Sequence, residues 1–117
     1  MPIRIDEREK DMPPTPRIHF VENFGNVWPL PNSKEWESGY WWRVGGANAN
    51  ALIGGHIYLR AAQSAPSHHG GIIKGYRIQQ GGEFEGRYVF RFLPTNQHLG
   101  VMADPALWSY RYKQLVL

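Results

Sequence analysis

Apolar and polar residues alternate along much of the chain with a period of two, which is the pattern of half-buried strands. The clearest case is "RYVFRFL" (87–93). Tyr88, Phe90 and Phe92 fall on one face of such a strand, and Arg87, Val89 and Arg91 on the other. In "HIYLRAA" (56–62), Ile57 and Leu59 oppose His56, Tyr58 and Arg60. In "RIHFVENFG" (17–25), Ile18, Phe20 and Glu22 alternate with His19, Val21 and Asn23. "IIKGYRIQQ" (72–80) predicts a further strand, with Gly75 marking a bulge or a close backbone approach. "LWSYRYKQLVL" (107–117) predicts the last, with Trp108, Tyr110 and Tyr112 opposite Ser109, Arg111 and Lys113.

Proline and glycine punctuate the rest. "NVWPLPNSKEWESG" (26–39), "QSAPSHHGG" (63–71) and "PTNQHLGVMADP" (94–105) read as loops, and "GGEFEG" (81–86) as a hairpin turn. Ala47, Ala51 and Leu52 have the spacing of a short helix closed by Gly54 or Gly55. The chain is therefore expected to be mainly β (α+β), with five or six strands and one or two short helices. Short strands separated by turn signals favour a small barrel or a sandwich.

Length and composition narrow the class. A chain of 117 residues is expected to form one domain with a sizeable core. Residues 1–17 are charged and carry Pro2, Pro13, Pro14 and Pro16, which predicts a flexible arm ahead of a domain spanning 18–117. The absence of cysteine excludes disulfides and thiolate metal sites and suits a reducing compartment. The N-terminus lacks an apolar signal region, and no apolar run reaches the ~20 residues of a membrane span. A cytoplasmic protein without a membrane partner is the expectation. The net charge of +3 is unevenly placed: seven of the ten acids precede Trp41, whereas eight Lys or Arg follow Trp42. A body more basic than the whole chain permits an anionic partner such as RNA or DNA.

The candidate chemistry gathers around "SAPSHHGGIIKGYRI" (64–78). His68 and His69 are adjacent, so a regular strand would point them to opposite faces, and no acid lies near them in sequence. That is poor spacing for a metal site, and neither metal nor cofactor is expected. "GGIIKG" lacks the spacing and the Ser/Thr of a phosphate-binding loop. His56, His68 or His69 with Tyr58, Lys74 and Arg77 could instead do acid–base work on a phosphodiester. The plainest reading is a turn stiffened by Pro66 and Ser67, with Gly70 and Gly71 allowing positive φ or close backbone approach. Trp28, Trp36, Trp41, Trp42 and Trp108 belong mainly to the core. The consecutive Trp41 and Trp42 cannot both face it from a strand, so one of the group is expected to line a pocket suited to base stacking. The basic strand faces at Arg87/Arg91 and Arg111/Lys113 are either solvated exteriors or nucleic-acid contacts.

The order from Phe20 to Phe92 resembles the PUA-like barrels, in particular the EVE and ASCH branches. An early strand, a Trp-bearing loop and a short helix precede "LIGGHIYLRAAQSAPSHHGGIIKGYRI", and "RYVFRF" stands as the hairpin partner. The usual "pGD" turn is here "GGH" (54–56). The resemblance covers roughly 70 residues of this chain. It implies a small barrel whose aromatic cleft receives a nucleobase, modified or flipped out. By position, the ligand-binding set is Trp28, Trp36, Trp41, Ser67, His68, Gly70, Gly71, Lys74 and Tyr76. Arg60, Arg77, Arg87 and Arg91 are the candidates for the nucleic-acid backbone. The expected function is a nucleic-acid-binding module without a catalytic residue. The alternative is a small metal-independent hydrolase or ribonuclease using His68/His69 and Lys74.

Overall fold

The computed structural model describes residues 15–23, 25–41, 44–108 and 113–117, without the side chains of Tyr40 and Trp41. Most of the expected arm, Trp42, and the Tyr110 and Tyr112 positions lie outside the described residues. Among the described residues the fold is mainly β with one α-helix. Strands β1 (Arg17–Val21), β2 (Val27–Pro29), β3 (Trp36–Trp41), β4 (His56–Arg60), β5 (Ser67–Ile78), β6 (Tyr88–Pro94) and β7 (Lys113–Val116) form one sheet in the order β2-β3-β6-β5-β4-β1-β7. Helix α1 (Gly46–Leu52) precedes β4. Short 3-10 turns occupy Asn96–His98 and Pro105–Leu107.

Three expectations are corrected. The sheet has seven strands, and β2 and β7 remain as its edges, so the described residues do not close into a barrel. The supposed loop 26–39 contains the β2–β3 hairpin, in which Trp28 pairs Glu37 and Pro29 pairs Trp36. Proline suggests a loop, but Pro29 is tolerated here because β2 is an edge strand. Finally, "SHHGG" is the first part of the twelve-residue β5, not a turn. Its Gly-Gly pair is extended backbone inside the sheet.

Those glycines answer to close packing. A Cβ on Gly71 would collide with the Leu93 carbonyl oxygen, and one on Gly70 with that of Ile57. What approaches the glycines is the backbone of the strands on either side. β5 also bulges twice. Against β4, Leu59 pairs His69 but Arg60 pairs Ser67, so His68 is the extra residue. Against β6, Ile73 pairs Phe92 and Gly75 pairs Arg91, so Lys74 is extra, as the Gly75 signal suggested.

One face of the sheet carries the core: Ile18, Phe20, Ile57, Leu59, Ile73, Phe90 and Phe92, capped by Val44 and by Ala49 and Leu52 of α1. The helix lies close to where its spacing placed it, but its buried positions are Ala49 and Leu52, while Ala47 and Ala51 are exposed. The tyrosine Tyr76 ties the far end of β5 to α1, its hydroxyl donating to Asn50 Oδ1 at 2.8 Å. The opposite face holds His56, Tyr58 and Arg60 in register beside Arg17, His19 and Val21 of the parallel strand β1. The segment between β6 and β7 reaches this face, bringing His98 and Trp108 against it.

Candidate functional site

An open groove of about 550 Å³ lies where the start of β5 meets the end of β6 and the following turn. His68, His69, Gly70, Pro94, Thr95, Asn96 and Leu99 line it. The bulge at His68 separates the two adjacent histidines. His68 is exposed and its Nε2–H donates to the Glu22 carbonyl at 2.9 Å. His69 turns the other way and packs with its ring centroid 4.8 Å from Trp36 and 5.4 Å from Phe92. Burial, and next the neighbouring His68, lower the His69 pKa, so this ring is neutral at pH 7.

The wall formed by residues 95–101 is fastened to β5 by Ser67. This buried hydroxyl donates to the His98 carbonyl at 2.5 Å and accepts from the Val101 amide at 2.9 Å. The Ser67 backbone adds bonds to Val101 and Gly100. Ser67 thus holds the groove's shape rather than facing into it. Gly70 contributes in the same way: a Cβ there would come within 3.0 Å of His98 Cβ.

Beneath the groove, His98 is 4% exposed and bonded on both ring nitrogens. Its Nδ1 meets Thr95 Oγ1, and its Nε2 lies 2.8 Å from His56 Nδ1. Tyr58 sits 5.0 Å from His98 and stacks on His19 at 4.7 Å and 14°. Burial lowers the pKa of His98, assisted by His56, and that of His56, assisted by Arg17. His19 is pushed down to about 3, first by burial and then by Arg60 and Arg17. Arg60 Nη2 donates to His19 Nδ1 at 2.7 Å, and a guanidinium can only donate, so the His19 proton resides on Nε2. His56 is among the acid–base candidates in sequence, but His98 carries no signal there, because residues 42 positions apart meet only through the β6–β7 segment folding back.

The remaining candidates scatter. Trp36 joins the groove's aromatic wall through His69, whereas Trp28 lies on the edge hairpin, donating to Glu37 at 3.1 Å. The Trp41 side chain lies outside the described residues. Lys74 stands on its own bulge, five residues beyond His69 and roughly 16 Å along the strand at ~3.3 Å per residue. The histidine pair and Lys74 therefore do not share the groove. Arg60 is fully buried, donating to Ala65 O at 2.8 Å as well as to His19, so it cannot meet a phosphate backbone at the surface. Arg77 pairs with Glu37 at 3.0 Å and Arg91 with Glu35 at 2.9 Å. Arg87 lies over the Phe84 ring at 4.9 Å. Among the described residues, no group of three or more His, Cys, Asp or Glu is placed to hold a metal ion, and no helix is long and apolar enough to cross a membrane. No protein family, curated protein or solved structure matches the chain.

Proposed function

We propose that the chain is a PUA-like nucleic-acid-binding module that takes a single nucleobase of RNA or DNA, modified or flipped out, into the groove beside His68 and His69. The observation that carries this reading is the groove itself. Its volume of about 550 Å³ falls in the range of small-ligand sites, ~300–1,000 Å³. Its wall combines the His69 ring, backed by Trp36 and Phe92, with the polar Thr95 and Asn96. Flat π surfaces beside amide and hydroxyl groups suit stacking on a base together with reading of its edge.

The charge distribution refines the proposal. Arg77 and Arg91 are already paired with carboxylates and Arg60 is buried, so backbone phosphates find few unengaged arginines here. Binding should depend on the base more than on the phosphate track. Short single-stranded oligonucleotides with unmodified and modified bases, titrated at two salt concentrations, test this. The expected result is base-selective binding with a shallow salt slope, weakened by roughly 5- to 150-fold in His69→Ala, the equivalent of ~1–3 kcal/mol per stacked base. Binding that is base-indifferent and steep in salt would replace the proposal with a surface phosphate track. No binding to any oligonucleotide would remove it.

A further inference from the structure

We propose that Thr95, His98 and His56 form a nucleophile, base and orienting group that open onto the groove and act on small carboxylic esters. Thr95 lines the groove, and its hydroxyl meets Nδ1 of the buried His98. The other nitrogen of that imidazole is held by His56 at 2.8 Å. This is the arrangement that activates a hydroxyl: a base within hydrogen-bond reach, itself oriented by a third group. The base is unusually well fixed. Ser67 grips the His98 carbonyl, Gly70 leaves room for its Cβ, and Tyr58 packs against its ring. Burial keeps His98 neutral near pH 7, and a neutral imidazole can accept a proton. Pro94 and Leu99 supply apolar wall for a short acyl chain.

In the tautomer that carries the His98 proton on Nε2 toward His56, the Thr95 hydroxyl donates to Nδ1. Attack of Oγ1 on the ester carbonyl carbon forms the new C–O bond as the hydroxyl proton passes to Nδ1. The bond to the alcohol then breaks, and the alcohol leaves with that proton. Water repeats the step on the acyl-threonine, releasing the carboxylic acid and restoring Thr95. The charged and titratable groups around the pair are Tyr58 on β4 and, on β1, His19 and Arg17. None is a carboxylate, and the Nε2–H of the imidazolium formed during the step donates to His56 Nδ1.

Ester cleavage of this kind goes beyond base binding and shares only the groove with it. The test is p-nitrophenyl acetate with the intact protein, followed by p-nitrophenolate release and peptide mapping of the acylated residue. An acetyl group on Thr95 is expected, retained in Thr95→Ser and absent in Thr95→Ala. His98→Asn should slow acylation by on the order of 10²-fold or more, with the thermal melt recorded to confirm folding. Burial, assisted by His56, lowers the pKa of His98, so the rate should hold through the ordinary histidine range and fall only at more acidic pH. Absence of acyl-Thr95 together with turnover no faster than free imidazole overturns the proposal, and so does acylation confined to surface lysines. Oligonucleotide titration of the His98→Asn protein separates the two functions, because His98 lies beneath the groove and is not one of the groups that meet the base.

Discussion

Single residues in this protein are constrained chiefly by what crowds them. Gly71 faces backbone, which cannot move aside, so Gly71→Ala should cost more than about 3 kcal/mol, the upper end of ordinary overpacking. At Gly75 the atom in the way is the far end of the Arg91 side chain, 3.0 Å from where an added methyl group would stand, and it can swing clear. Gly75→Ala should therefore cost less than about 1 kcal/mol. Urea denaturation of the two variants gives the ranking, and equal losses would mean that the strands yield at Gly71. His19 governs acid stability. Its folded pKa of about 3 lies below the ordinary 6.5, so between these values the unfolded chain binds the extra proton. Stability from this residue is full above pH 6.5 and is lost as pH falls toward 3. His56, His69 and His98 act in the same direction. Denaturation midpoints from pH 8 to pH 4 should decline, and His19→Asn, whose Oδ1 stands near the place of Nδ1 and can still accept from Arg60, should make that decline shallower.

Among the elements, β6 shows why alternation in sequence is informative and incomplete. Phe90 and Phe92 are buried and Arg91 is exposed, as the pattern of "RYVFRFL" implied. Val89 is buried too, although it lies on the arginine face, because Gly39 of the neighbouring strand packs onto it. Phe90→Ala should cost about 3–5 kcal/mol. Arg91→Ala should cost less than about 1 kcal/mol, the usual limit for an exposed ion pair such as that with Glu35. Thermal and denaturant melts decide between this ranking and its reverse. Ser67 joins two elements. Ser67→Ala leaves the His98 carbonyl and the Val101 amide without their hydroxyl partner and should cost about 1–3 kcal/mol. Hydrogen exchange should quicken at Gly100 and Val101, with little change in β1 or β6.

Across the protein as a whole, the sheet divides two tasks between its faces. One is apolar and closed by α1, and the other is aromatic and histidine-rich beneath the β6–β7 segment. Among the described residues, Glu37 and Glu35 of the β2–β3 hairpin pair with Arg77 of β5 and Arg91 of β6, which offsets part of the basic charge on those strands. If these pairs set the surface field, Glu35→Gln combined with Glu37→Gln should steepen the salt dependence of oligonucleotide binding relative to wild type. Titration at two ionic strengths reads the difference, and an unchanged slope would place the phosphate contacts elsewhere.

Local patterning was enough to establish the strand character of residues 56–60, 72–78 and 88–93, the short helix and the bulge near Gly75. These follow from periodicity along the chain and from the backbone freedom of glycine. Of the residues singled out in sequence, His68, His69 and Gly70 line one groove and Trp36 packs against His69, while Trp28, Lys74 and Tyr76 lie elsewhere. The place of Gly70 and Gly71 within a strand emerges only on folding, since their requirement is set by carbonyl groups on β4 and β6. Folding also buries Arg60 against His19 and pairs Arg77 and Arg91 with acids that precede them in the chain by 40 and 56 residues. It likewise brings His98 to His56. Contacts of that sequence separation depend on strand order and on the return of a loop over the sheet, and neither leaves a periodic trace in the residues concerned.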